Sequence, residues 1–270
     1  MLKFLFWNLN GKQIHGLVGR LSQERDVDVI ILAECSIAYG DLLAALNITG
    51  VQTFTLTFSP NDHVLVFTRL PNDCIKPVSD FAGVSIRTIS PPIGSDILLV
   101  AAHLPSKLHR DEDDQGLFAT EIARRIEDAE KQAGHSRTVV VGDLNMNPFE
   151  NGLVWAEAFH AVMSRRIAAK KSRTVDGKNK FFFYNPMWAH FGDRAGKPPG
   201  TYYYNSGTQA NFYWNMFDQV LIRPDLLKKF RDESLKIVTN VGAVSLLNKN
   251  GIPDASIASD HLPIVFELNS

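Results

Sequence analysis

Apolar residues gather along this chain in short unbroken runs, and six of these runs abut a polar residue at one end. They read LKFLFWN, ending at Asn8; VDVIILAE, ending at Glu34; and DILLVAAH, ending at His103. The others are TVVVGDLN, carrying Asp143 and Asn145; MFDQVLI, with Asp218 near its start; and SDHLPIVFEL, with Asp260 and His261 just ahead of the run. Runs apolar at successive positions predict strands covered on both faces. Further strands are expected at Val51–Phe58, His63–Thr68 and Val84–Ile89.

Helical spacing is rarer. Ile14, Leu17, Val18 and Leu21 predict a helix over Gly11–Arg25. Leu117, Phe118, Ile122 and Ile126 predict a longer one over Asp111–Ala133, whose acidic start suits the helix dipole and which Gly134 is placed to stop. Asp41–Leu46 and Pro224–Phe230 are shorter candidates. Strands separated now by helices, now by short turns, predict an α/β fold in which two mixed sheets pack face to face with helices outside.

Composition narrows this picture. With 270 residues, 45% of them apolar, the chain can bury one large core. The strand pattern resumes after a basic and aromatic stretch at about 163–214, so 1–270 reads as a single domain carrying that insertion. A net charge of −1 excludes a uniformly basic nucleic-acid binder, though not a local basic patch. Cys35 and Cys74 make neither a disulfide framework nor a zinc site. With no signal-peptide pattern and no apolar stretch of membrane-spanning length, the expectation is a soluble, cytoplasmic protein with no membrane partner.

The polar residues at the strand ends carry the chemistry. Taken singly, an Asn or Asp there reads as a turn residue or helix cap, Glu34 as an ion-pair partner, and His103 or His261 as a structural histidine. Taken together they describe carboxylates converging on one edge, where a divalent cation would relieve their repulsion. Oxygen ligands select a hard ion, Mg²⁺ or Mn²⁺. The two histidines add proton-transfer capacity. Such a site requires Glu34 and Asp143 to lie within about 12 Å of each other.

The ordered set WNLN, LAE, AAHL, VVVGDLNMNP, MFDQVL and ASDHLPI resembles the endonuclease/exonuclease/phosphatase superfamily over nearly the whole chain. The resemblance implies a four-layer α/β/β/α sandwich with the site at one edge of the two sheets. It further implies Glu34 as principal metal ligand, with Asn8 and Asp260 completing or adjoining the metal site. Asp143 would orient or deprotonate the attacking water, and Asn145 would hydrogen-bond that water or a phosphate oxygen. His261, its ring held by Asp218, would contact the phosphate or act as general base, and His103 would stabilise the transition state or protonate the leaving oxygen. Whether Asp143 or His261 is the base, and whether one metal or two is used, stays open.

For the substrate, Arg165–Lys180 holds seven basic residues against one acid, Asp176. Lys170, Lys171 and Arg173 are therefore candidate phosphate contacts, and Phe181, Phe182, Phe183, Tyr184, Trp188, Tyr202, Tyr203 and Tyr204 candidate stacking platforms for unpaired bases. The segments GDLNMNP and MFDQVL depart from the inositol phosphatases, and His103 stands where exonuclease III-type enzymes usually carry a Tyr motif. The expectation is a phosphodiester hydrolase, a nuclease acting on DNA rather than RNA. A phosphatase or phosphodiesterase for a small phosphorylated metabolite or lipid head group, or a binding module with an idle site, are the alternatives.

Overall fold

The computed structural model describes residues 1–50, 53–60, 62–107, 112–193 and 197–269. Of the expectations above, Val51, Gln52 and Asp111 lie outside them. In chain order the first elements are β1 (Leu2–Asn8), α1 (His15–Glu24), β2 (Val29–Ala33), α2 (Tyr39–Leu46), β3 (Thr55–Leu56) and β4 (Val64–Thr68). Next come β5 (Ile75–Phe81), β6 (Val84–Ile89), β7 (Ile97–His103), α3 (Glu112–Ala133), β8 (Thr138–Asp143), α4 (Asn151–Val154) and β9 (Ala161–Val162). Then follow α5 (Arg165–Ala168), the hairpin β10 (Ser172–Val175) and β11 (Lys178–Phe181), and β12 (Phe183–Tyr184). Last are the hairpin β13 (Tyr202–Tyr203) and β14 (Trp214–Asn215), β15 (Asp218–Ile222), β16 (Lys236–Ile237) and β17 (Ile264–Leu268).

Two mixed sheets result. One has the order β16-β17-β1-β2-β4-β3, the other β5-β6-β7-β8-β15-β12-β9. The pairs β1–β2 and β7–β8 are parallel, and β8 meets β15 antiparallel. Side chains alternate across each strand, so the apolar runs feed two layers at once. Phe4, Phe6, Ile31 and Val66 of the first sheet pack against Leu99, Ala101, Val141 and Val220 of the second. The opposite faces carry Leu5, Trp7 and Leu32 under Val18, Leu21 and Leu42 of α1 and α2. In the second sheet, Leu98, Val100 and Val140 lie under Ile122 and Ile126 of α3. This is the expected α/β/β/α sandwich, with every inner strand covered on both sides.

The departures are local. The helix expected over Gly11–Arg25 begins only at His15. Asn10 and Gly11 take left-handed backbone angles (φ 47° and 66°), and the Gly11 N–H donates to the Glu34 carbonyl at 2.9 Å. That turn ties the end of β1 to the end of β2 rather than starting a helix. Pro224–Phe230 yields only a single 3₁₀ turn at Pro224–Leu226. The strand sought in Val51–Phe58 shortens to Thr55–Leu56 at a sheet edge.

Candidate active site

Alternation and register deliver the polar side chains. On β1 the inward positions Phe4 and Phe6 are followed by Asn8; on β8, Val139 and Val141 are followed by Asp143. The same step takes β7 from Leu99 and Ala101 to His103, and β15 back from Val220 to Asp218. Strand pairing sets these ends level. His103 is the register partner of Asp143, Asp143 of Asp218, and Asn8 of Ala33, which precedes Glu34. Gly142 allows this alignment, since a Cβ there would fall 1.9 Å from the Ala102 carbonyl oxygen on β7. Glu34 and Asn145 both hold left-handed angles (φ 46° and 50°) that side-chain-bearing residues rarely adopt. Such strain persists where the surrounding structure fixes it.

The resulting contacts are close. The Asn8 amide nitrogen donates to Glu34 Oε1 and Asp143 Oδ2, each at 2.9 Å. Its Oδ1 is taken by the Asn10 N–H at 2.9 Å, which fixes the amide's orientation. His103 Nε2 lies 3.3 Å from Glu34 Oε1 and 4.0 Å from Asp143 Oδ2. His261 Nδ1 lies 2.9 Å from Asp218 Oδ2, and its Nε2 lies 3.9 Å from Asp143 Oδ2. The Asn145 N–H donates to Asp143 Oδ1, and its side-chain amide donates to the Leu104 carbonyl. Asp260 lines the same cleft, half-buried, with its Oδ1 3.4 Å from the Ser259 hydroxyl.

Charge follows from these surroundings. The hydrogen bond from His103 holds the Glu34 carboxyl down at about 2, against a smaller opposing effect of burial. Burial pushes Asp143 up, only partly countered by the His261 charge. Burial also disfavours a charged His261, but the facing Asp218 and Asp143 carboxylates outweigh it and push its pKa up to about 10. His103 moves the same way, burial opposing and Glu34 and Asp143 prevailing.

Several supports carried no recognised signal in the sequence. The Trp7 indole N–H donates to the His261 carbonyl at 3.0 Å. The Ser259 hydroxyl donates to the Asn8 carbonyl at 2.7 Å and accepts the His261 N–H at 3.1 Å, strapping the two sequence ends together. Tyr202 packs its ring on His261, centroids 4.6 Å apart. Both Trp7 and Ser259 sit inside motifs already conspicuous, WNLN and ASDHLPI, where a polar group beside each end-of-strand residue was the available clue. A cleft of about 1120 Å³ opens over the site.

The structure does not bring the basic trio to this cleft. Lys171 Nζ pairs with Asp225 Oδ1 at 2.8 Å, and Asp225 also accepts from Ser136. Those residues follow β15 and precede β8, at the edge opposite Asp218 and Asp143. Arg173 Nε donates to His160 Nε2 at 2.9 Å beside β9, on that same far edge, and Lys170 lies between these two.

The donor set suits a hard divalent cation. Ligand atoms of Glu34, His103 and Asp143 lie within 4.8 Å of one another, and those of Asp143, Asp218 and His261 form a second such group. An octahedral ion with bonds of about 2.1 Å spans donors at such separations. Among the described residues no Lys or Arg pairs with Glu34 or Asp143, so their charge has no permanent cationic partner. Asp260 falls outside both groups.

The sequence model of the Endonuclease/Exonuclease/phosphatase family matches residues 5–261. No curated protein matches at the sequence level. Among solved structures, the chain is similar to an endonuclease/exonuclease/phosphatase family protein from Leptotrichia buccalis, at 16% identity over 100% of both chains, TM-score 0.59. It is similar to a 3′ phosphatase from Neisseria bound to product DNA hairpin, at 14% identity over 100% of both chains, TM-score 0.57. An AP endonuclease from Archaeoglobus fulgidus gives 14% identity over 100% of both chains, TM-score 0.56. At such identities the likeness speaks for the fold.

Proposed function

Because the chain belongs to the endonuclease/exonuclease/phosphatase family, we propose that it is a divalent-metal-dependent phosphodiester hydrolase, a nuclease acting on DNA. The observation that carries this reading is the pair Glu34 and Asp143, donor atoms within one 4.8 Å group and, among the described residues, without a Lys or Arg partner. Two structural neighbours, an AP endonuclease and a 3′ phosphatase bound to product DNA hairpin, support nucleic acid as the substrate class.

Glu34 and Asp143, with Asp260 at the rim, would hold Mg²⁺ or Mn²⁺. Bound there, the ion would neutralise charge on the non-bridging phosphate oxygens and favour loss of a proton from water. Asn8 contributes through its amide N–H groups, which hold the two carboxylates in position. Asp143 takes the proton of the water whose oxygen forms the new bond to phosphorus. His261 carries its proton at neutral pH, with Asp218 fixing Nδ1 as a donor, so Nε2 offers a hydrogen bond to the phosphoryl group. His103 supplies the proton to the oxygen that leaves as the phosphorus–oxygen bond breaks. Asn145 keeps Asp143 oriented through its backbone N–H.

The test is hydrolysis of single-stranded DNA, duplex DNA, RNA and a chromogenic phosphodiester with Mg²⁺, Mn²⁺ or EDTA. The expected result is metal-dependent cleavage of DNA that Asp143→Ala abolishes. Cleavage of the small diester alone would move the substrate to a small phosphoester. Silence across the panel would leave the fold as a binding module and end the hydrolase reading.

A further inference from the structure

The turn that follows the Asp143 motif does more than reverse the chain. Glu150, just before α4, is buried at 5% exposure, yet it carries a carboxylate. Its Oε1 accepts the Asn147 N–H at 3.0 Å and the Asn147 side-chain amide at 3.1 Å. Its Oε2 lies 2.5 Å from the Lys107 ammonium, on the loop that leaves β7. Lys107 itself remains 45% exposed and lines the cleft. Among the described residues it is the only Lys or Arg that does so.

The same turn holds an aromatic rim. Phe149 packs on Phe212 with ring centroids 5.4 Å apart, and on Trp188 and Phe191 behind it. Phe212 is 60% exposed and lines the cleft, as does Tyr204, 54% exposed and stacked on Tyr202 at an interplanar angle of 12°. Asn147 donates to Asn215 Oδ1 at 2.9 Å, which fixes the base of the hairpin bearing Tyr204 and Phe212. One turn, Asn147–Glu150, thus positions a cation through Glu150, a ring through Phe149 and the hairpin through Asn147.

We infer that Lys107, Tyr204 and Phe212 form a subsite for one unpaired nucleotide of the substrate, next to the scissile phosphate. This rests on the hydrolase reading above and names its substrate more narrowly: single-stranded DNA or an unpaired end. The ammonium has three donors and is held beside Glu150 as an ion pair, so a phosphate oxygen can accept from it. The exposed ring faces suit a base whose own faces are free, as stacking on aromatic side chains is independent of sequence. A duplex offers no free base faces and is gripped by many cations along its phosphates. Among the described residues this cleft supplies one Lys or Arg, and the basic trio lies at the opposite edge.

The test is fluorescence anisotropy with a labelled single-stranded oligodeoxynucleotide and with its duplex, in Mg²⁺, on an Asp143→Asn background that blocks turnover. Hydrolysis of bis(4-nitrophenyl) phosphate is followed in parallel with Asp143 intact. Single strand should bind about tenfold tighter than duplex. K107A and F212A should each weaken it about tenfold, with K107R restoring most of the loss. K107A should also lower the slope of log Kd against log salt by about 0.7, one phosphate contact. If removing the cation unsettles the buried Glu150, the double change K107A/E150Q removes both charges and must give the same loss. Unchanged binding in K107A and F212A, equal binding of duplex, or no binding at all would overturn the subsite. Diester hydrolysis surviving that outcome would keep the hydrolase reading. Binding as expected without hydrolysis of the diester or the oligonucleotide would instead overturn the hydrolase reading and leave the subsite standing.

Discussion

The two edges of the second sheet bury charge in opposite ways. At the far edge, Glu130 of α3 meets Arg223, which follows β15, with Nε–Oε1 at 2.8 Å and side chains 10% and 3% exposed. The Thr138 hydroxyl donates to the same Oε1, and Arg223 also donates to the Phe181 and Phe182 carbonyls and lies 3.9 Å from the centre of the Phe183 ring. Glu130 and Arg223 are thus each other's permanent partners. At the near edge, Asp143 is as deeply buried, and among the described residues its nearest cationic groups are two imidazoles, at 3.9 and 4.0 Å. A fully paired charge cluster serves the fold; an acidic one left short of cations serves a ligand that supplies them.

The largest expected effects come from exchanging the two edges as targets. Asp143→Asn should lower turnover by about 10³-fold or more. Its stability in denaturant should change by less than about 1 kcal/mol, since the amide removes a buried charge and keeps the shape. Arg223→Met should do the reverse, costing about 3–5 kcal/mol because Glu130 is left buried and unpaired. Turnover per folded molecule should stay within about twofold. If Arg223→Met were inactive while folded, or Asp143→Asn unfolded, the division of labour between the edges would be wrong.

A divalent cation should stabilise only one edge. Mg²⁺ at about a hundredfold excess over its Kd should raise unfolding stability by about 3 kcal/mol by mass action. Glu34→Gln should remove most of that increment, whereas Arg223→Met should keep it despite its lower starting stability. An equal increment in Glu34→Gln would place the ion elsewhere.

Acid should act on the far edge at His160. Burial, with the Arg173 guanidinium beside it, holds its pKa down at about 4. Its unfolded value is about 6.5, so the unfolded chain binds the extra proton between those values. The contribution is complete above about pH 6.5 and is lost as pH falls toward 4, by up to about 3 kcal/mol. His160→Gln retains an acceptor for Arg173 and should flatten that part of the stability–pH curve. A curve unchanged by the substitution would assign the acid sensitivity to other groups.

Legibility in the sequence followed the same physics. The end-of-strand residues Asn8, His103, Asp143 and Asp218 were visible because each interrupts an apolar run that the fold buries on both faces. Lys107 and Glu150 were not, because neither lies in a periodic segment and their contact joins residues 43 apart. Phe212 was hidden differently: its role depends on Phe149, and nothing local links the two. The basic stretch gave the opposite problem. Its charge was plain, but its position depends on β12 pairing antiparallel to β15 at Tyr184 and Ile222, which fixes the edge it occupies. Charge density is local information, whereas the edge on which it emerges is topology.

That distinction sets the smallest expected effect. Neutralising Lys170, Lys171 and Arg173 together should change turnover on a short single strand by less than about threefold. The five residues of β15 alone separate its two ends by about 13 Å. A Debye length at physiological salt is about 8 Å, so exposed charges beyond it are largely screened. Lys171 and Arg173 are also engaged, with Asp225 and His160. The measurement is KM for a short oligonucleotide across a salt series, in the parent and in the triple variant. A tenfold rise in KM with a flattened salt dependence would mean that the substrate reaches around the sandwich to the far edge, and the two edges would then share the work of binding.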